Sequence, residues 1–211
     1  MNTYESSMSK LRFAIMGGTF DPIHYGHLAA AEEVRVGLNC QKVIFIPSGN
    51  PPHKKGCVRT DEAHRYDMTL LATASNPYFE VSDIEMNRNG YTYTLDTIKK
   101  LNKYYGNEVE LFFITGADAL LELETWYKVE QLLKLCSFIA VTRPGYDKSK
   151  LEQKLYHLQS KYNSELYIMD VPGLSISSTD LRKRIEQGTS IRYLVPEAVE
   201  QYISDHKLYR K

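Results

Sequence analysis

Leu11-Arg12-Phe13-Ala14-Ile15-Met16-Gly17-Gly18-Thr19-Phe20-Asp21-Pro22-Ile23-His24-Tyr25-Gly26-His27 is the stretch on which the fold turns. Residues 11–16 form a short, mostly apolar run that reads as a strand and empties into two glycines. Asp21-Pro22 is a turn and helix-entry signal, because proline fits a first helical turn where its missing N–H is not needed. Leu28, Ala31, Val34 and Leu38 then share one stripe of 3.6-residue period. Strand, glycine turn and amphipathic helix in this order open a βα unit.

The same alternation continues outward. Residues 43–47 (VIFIP), 79–84, 111–115 (LFFIT), 138–142 (FIAVT) and 166–169 (LYIM) read as further strands, and most carry few charges, as strands covered on both faces do. Leu95, Ile98, Leu101 and Tyr105 mark another helical stripe, with more helices expected over 63–74, 127–135, 148–162, 179–187 and 197–206. Right-handed βαβ units follow, hence an α/β protein with a Rossmann-like, doubly wound, mostly parallel sheet and helices on both faces. Residues 1–10 read as a loose extension and 11–211 as a single domain, with a helical C-terminal part (176–211) packed on it. Loops 48–60 and 86–92 are longer than connections need, and long loops beside a parallel sheet are where substrate is usually handled.

Composition narrows the function. The chain has 211 residues, 43% hydrophobic and 25% charged, with 26 Lys and Arg against 26 Asp and Glu. Balanced charge and dispersed basic residues argue against a nucleic-acid partner. No apolar run approaches the length of a bilayer span, and the first ten residues have no apolar core for a secretory signal, so a cytoplasmic protein without membrane partner is expected. Three cysteines (Cys40, Cys57, Cys136) without metal-ligand spacing suggest neither a disulfide framework nor zinc. The 16 tyrosines leave room for a homodimer.

Chemistry concentrates in three places. After the first strand, Gly17 and Gly18 let the chain turn tightly and a ligand approach the backbone. His24 and His27 sit at i and i+3 on one face of a helix start whose amides and dipole favour an anion. Gly26 removes a side chain where a nucleotide would press. The pattern is neither a Walker loop, lacking its lysine and Ser/Thr, nor a dinucleotide GxGxxG. The second place is Ile176-Ser177-Ser178-Thr179-Asp180-Leu181-Arg182, about 150 residues away. Ser177 and Asp180 have capping-box spacing, which accounts for the serines alone; Arg182 lies within a turn of that helix start and can fork onto phosphate. The third comprises loop residues His53 and Lys54, Gly116-Ala117-Asp118, Thr94 and Trp126-Tyr127. Asp118 either caps a helix or accepts ribose hydroxyls; Thr94 is by default a helix cap; Trp126, the only tryptophan, is either core or a flat face for a pyridine ring.

GGTFDPIHYGH together with ISSTDLR resembles the paired signature of the HxGH nucleotidyltransferase superfamily. PPHK at 51–54, the GxD…LxxW arrangement and the Thr94 segment are similar to the nicotinate mononucleotide adenylyltransferases within it. The resemblance runs from Leu11 to the last helix, and the length disfavours the shorter phosphopantetheine enzymes of that superfamily. It implies transfer of an adenylyl group from ATP to nicotinate mononucleotide, giving the deamido form of NAD and pyrophosphate, with nicotinamide mononucleotide or phosphopantetheine as other acceptors. A non-catalytic nucleotide sensor is the contrasting expectation. The resemblance places ATP against Gly17, Gly18, Thr19, Phe20, His24, Gly26, His27, Gly116, Asp118, Ser177, Ser178, Thr179 and Arg182, with His24, His27 and Arg182 catalytic. It places the mononucleotide against His53, Lys54, Thr94, Asp118, Trp126, Tyr127 and Arg143. Mg²⁺ is expected on the triphosphate, since no carboxylate cluster suggests a protein metal cage.

Overall fold

A computed structural model describes residues 10–51, 60–86, 88, 90–142 and 145–210. Six strands, β1 (Leu11–Gly18), β2 (Lys42–Pro47), β3 (Phe79–Val81), β4 (Val109–Gly116), β5 (Ser137–Thr142) and β6 (Leu166–Asp170), form one sheet in the order β3-β2-β1-β4-β5-β6. Every pairing is parallel, so the sheet is wholly rather than mostly parallel. The chain moves outward from β1 to β3, then returns to lay β4 on the other side of β1. In such a sheet the crevice opens at the carboxyl ends of the two central strands, where neighbouring connections diverge. β1 ends there in Gly17-Gly18 and β4 in Gly116.

Two-residue periodicity divides the core. Phe13 and Ile15 point to one face of the sheet with Ile44, Leu111, Phe113 and Phe138, under helices α3 (Thr94–Tyr105), α4 (Ala117–Leu121), α5 (Val129–Leu132) and α6 (Ser149–Tyr162). Ala14 and Met16 point to the other with Val43, Phe45, Phe112 and Ile139. That second face is covered by α1 (Tyr25–Gly37), α2 (Glu62–Thr73), α7 (Ser178–Glu186) and α8 (Glu197–Asp205). The C-terminal stretch adds Ile176, Leu181, Ile191, Val195, Val199 and Ile203 to this cluster.

Two elements fall short of what periodicity suggests. The strand expected over 79–84 stops at Val81, where Ser82 still donates its amide to Phe45 O but Ile84 turns onto the Ser82 hydroxyl and Met86 onto Asp83 O. The helix expected over 127–135 is one turn, Val129–Leu132, entered through Lys128 in the left-handed region at φ +49°. Apolar spacing at Val129, Leu132 and Leu133 marks burial there, not helix length. Among the described residues no helix is long and apolar enough to cross a membrane.

Candidate active site

The loop leaving β1 is shaped by its own aromatic. A Cβ at Gly18 would stand 2.8 Å from the Phe20 ring, whose backbone is left-handed at φ +49°; the ring itself is buried. This glycine therefore serves an internal contact, besides any approach of a ligand. Pro22 lies ahead of α1, joined to Asp21 by a cis peptide bond, and the N-cap is His24 in an extended conformation. The proline thus sits outside the first helical turn, because the loop needs two further residues to reach the helix axis.

His24 and His27 stack with ring centroids 3.7 Å apart and 27° between planes. The His24 backbone N–H donates to His27 Nδ1 at 3.3 Å, so the side chain at N3 satisfies an otherwise orphaned helix-start donor. An Nδ1 that accepts leaves the proton on Nε2, the nitrogen on the far side of the ring. Phe20 meets the His27 ring edge-on at 5.2 Å and limits its rotation. A Cβ at position 26 would lie 3.0 Å from the His24 ring, so Gly26 protects the imidazole stack as well as the space before it.

The second motif docks on the first. Ser177 is the N-cap of α7 and accepts the Asp180 amide at 3.1 Å. The capping interpretation of Ser177 is correct, but Asp180 turns its carboxylate to Arg184 at 2.8 Å instead of completing the box. Ser178 donates its hydroxyl to Pro22 O at 2.9 Å, and Arg182 Nη1 donates to Asp21 O at 2.7 Å. Side chains 156 and 161 positions away thus tie the start of α7 to the loop before α1.

The far wall comes from β4, α3 and the turn after α4. Gly116 is the N-cap of α4, which leaves Asp118 exposed in the first turn and not capping. The N-cap of α3 is Tyr93, so Thr94 is the first helical residue and not the cap. Trp126 follows a single 3₁₀ turn (Leu123–Thr125) and meets Phe113 and Phe138 edge-on at 5.9 and 6.1 Å while also lining the crevice. Core and binding-wall interpretations both hold for it. Tyr127 packs on Tyr93 at 4.4 Å.

One cavity of about 1100 Å³ joins all of this. Gly17, Gly18, Thr19, Phe20, His24, Gly26, His27, Ser177, Ser178, Thr179 and Arg182 line it together with Thr94, Gly116, Asp118, Trp126 and Tyr127. His53, Lys54 and Arg143 lie outside the described residues. Four contributors escaped the sequence. Asp21 and Glu85 are buried acids on the cavity wall, 2% and 9% exposed, and Glu85 accepts the Thr97 hydroxyl at 2.6 Å. Arg65, 2% exposed, reaches from α2 to Thr19 O at 2.8 Å, and Tyr209 donates its hydroxyl to Asp21 at 2.6 Å. A charged residue inside an apolar helical stripe was the available signal for Arg65; nothing local marks Tyr209. Among the described residues no group of three or more His, Cys, Asp or Glu side chains could hold a metal ion.

A nucleotidyltransferase is the class that this sheet and this crevice define, and residues 15–184 match the cytidylyltransferase-like family. The chain belongs to that family and, within it, to the nicotinate-nucleotide adenylyltransferases. It is 54% identical over 202 residues, 96% of each chain, to the protein of Thermoanaerobacter sp. (strain X514) named "Probable nicotinate-nucleotide adenylyltransferase". It is 55% identical over 199 residues, 94% of this chain and 92% of the other, to the protein of that name from Moorella thermoacetica. In fold it is similar to the Plasmodium falciparum nicotinic acid mononucleotide adenylyltransferase complexed with NaAD, with a TM-score of 0.76 at 22% identity, covering 94% and 97% of the two chains.

Proposed function

We propose that this enzyme transfers the adenylyl group of ATP to nicotinate mononucleotide, releasing pyrophosphate and forming nicotinate adenine dinucleotide, a step of NAD biosynthesis. The observation that carries it is the Arg182 to Asp21 O hydrogen bond of 2.7 Å, which joins the histidine motif and the ISSTDLR motif on the wall of one cavity of about 1100 Å³. A phosphate oxygen of the mononucleotide attacks the α-phosphorus; the bond to the β-bridging oxygen breaks and pyrophosphate leaves. That oxygen is already ionised at neutral pH, so no protein base is required. Catalysis is then positioning and charge neutralisation.

His27 presents Nε2–H to the α-phosphate, with His24 stacked behind it. Arg182 and the α7 amides around Ser177–Thr179 hold the β and γ groups, where a helix start favours anions. Asp118 accepts ribose hydroxyls, while Trp126, Tyr127 and Thr94 receive the pyridine end; by the family resemblance His53, Lys54 and Arg143 also serve the mononucleotide. Mg²⁺ enters as part of the nucleotide substrate, retaining most of its waters. The cytoplasm is the compartment that fits such a reaction.

Mixing the protein with ATP, Mg²⁺ and nicotinate mononucleotide and weighing the product by mass spectrometry tests this directly. The dinucleotide and equimolar pyrophosphate are expected, faster than with nicotinamide mononucleotide or phosphopantetheine. ATP binding without pyrophosphate release from any acceptor would replace the enzyme with a sensor.

A further inference from the structure

The loop between β1 and α1 is held from behind by its carbonyls: Arg65 on Thr19, Arg182 on Asp21 and Ser178 on Pro22. The Asp21 carboxylate is a separate matter. It is 3% exposed, and a charge so enclosed requires partners. Among the described residues it has two of unequal closeness. The Tyr209 hydroxyl donates to Oδ1 at 2.6 Å, while Arg182 Nη1 stands 3.9 Å from Oδ2.

Tyr209 reaches that position by an unusual path. After α8 the chain closes in a Schellman turn, with Lys207 at φ +52° and the Leu208 amide on Ile203 O at 3.0 Å. Tyr209 is itself left-handed at φ +61°. A bulky residue rarely adopts that region and persists there only where its surroundings hold it. Tyr209 is held by the hydrogen bond to Asp21 and by packing against the apolar cluster on that face of the sheet. The side chain of Arg182 is a third exposed and lines the cavity, so the guanidinium is docked at one corner and open at the other. A carboxylate free to rotate would close on it as a two-point pair and take up the N–H groups meant for phosphate.

We propose that Tyr209, near the C-terminus, is a positioning residue for adenylyl transfer: by fixing Asp21 it keeps Arg182 oriented toward, and available to, the departing pyrophosphate. This rests on the reading of Arg182 given above. The test is a double-mutant cycle on kcat for pyrophosphate release, combining Tyr209→Phe with Arg182→Ala, alongside thermal midpoints. Tyr209→Phe is expected to slow the otherwise intact enzyme about tenfold and the Arg182→Ala enzyme less than about twofold. A purely structural tyrosine would give equal losses in both backgrounds, and that result, or no loss in the intact enzyme, overturns the proposal. If Arg182→Ala alone retains full kcat, the phosphate role of Arg182 fails and the proposal falls with it. If Arg182→Ala is slow and the two losses multiply, only the role of Tyr209 fails. Should Tyr209→Phe not fold, Asp21→Asn carries the same cycle, with a several-fold loss that must likewise vanish beside Arg182→Ala.

Discussion

His27 shows how much one side chain is asked to do. Its Nδ1 accepts the amide of the helix N-cap, which aims Nε2–H away from the helix. Removing one preorganised donor to a developing oxyanion costs about 2.7–4 kcal/mol. His27→Ala is therefore expected to lower kcat by a factor of hundreds; circular dichroism should show the fold retained, since the ring's cap hydrogen bond and its contacts with His24 and Phe20 are local to one helix start. A folded variant with kcat near the parent value would remove His27 from the mechanism. Trp126 divides its surface between the core rings of Phe113 and Phe138 and the crevice. Trp126→Ala should raise KM for nicotinate mononucleotide about tenfold, leave KM for ATP within about twofold, and reduce stability by about 2 kcal/mol. Equal rises in both KM values would reassign it to packing alone.

At the scale of elements, the turn that presents Trp126 is anchored to α6 by Glu124. That carboxylate receives Lys154, Lys161 at 2.8 Å, and the Tyr162 hydroxyl at 3.3 Å, with His157 at 3.4 Å. The hydrogen bonds from Lys154 and then Lys161 hold its carboxyl well below the ordinary 4.5. A depressed carboxylate adds stability that is present above its unfolded value and lost as pH falls toward the folded one. Glu124→Gln should thus lower the urea-derived stability at pH 7 by about 1 kcal/mol or less, and the gap to the parent should narrow below pH about 4.5. A pH-independent gap would mean the cluster acts through packing. Elements also show where periodicity misleads: α5 is four residues long although apolar spacing suggested nine.

For the whole molecule, the joint between α8 and α2 is one of the places that bear on the alkaline limit. Tyr202 donates to Asp67 at 2.8 Å and lies 2.9 Å from His64 Nδ1, while its ring stacks on His206. Burial, then the Asp67 carboxylate, pushes its phenol up to about 12. Burial raises Tyr209 as well, followed by Asp21, and raises the Cys40 thiol to about 11. Groups with raised values contribute stability that is whole below their unfolded values and is lost as pH climbs through the folded ones. Thermal midpoints should stay level from pH 7 to about 9 and decline from about 10 upward, and Tyr202→Phe should flatten that decline. A midpoint falling steeply already between pH 7 and 9 would show that other groups control it.

By itself the sequence determined what local rules encode. Alternating apolar runs implied a parallel layered sheet, and two histidines a turn apart at a helix start, within the longer motif from Gly17 to His27, pointed to an anion-receptive site. Ser177 was readable as a cap because capping is settled within three residues. Tertiary structure alone decided that Asp21 would be buried between Arg182 and Tyr209, 161 and 188 positions away. It also decided that Trp126 would serve core and crevice together, and that Gly18 would yield its space to Phe20. Such pairings leave no periodicity in the chain; they follow from where the sheet sets down residues whose local environments are unrelated, and burial then obliges each polar group to find its partner there.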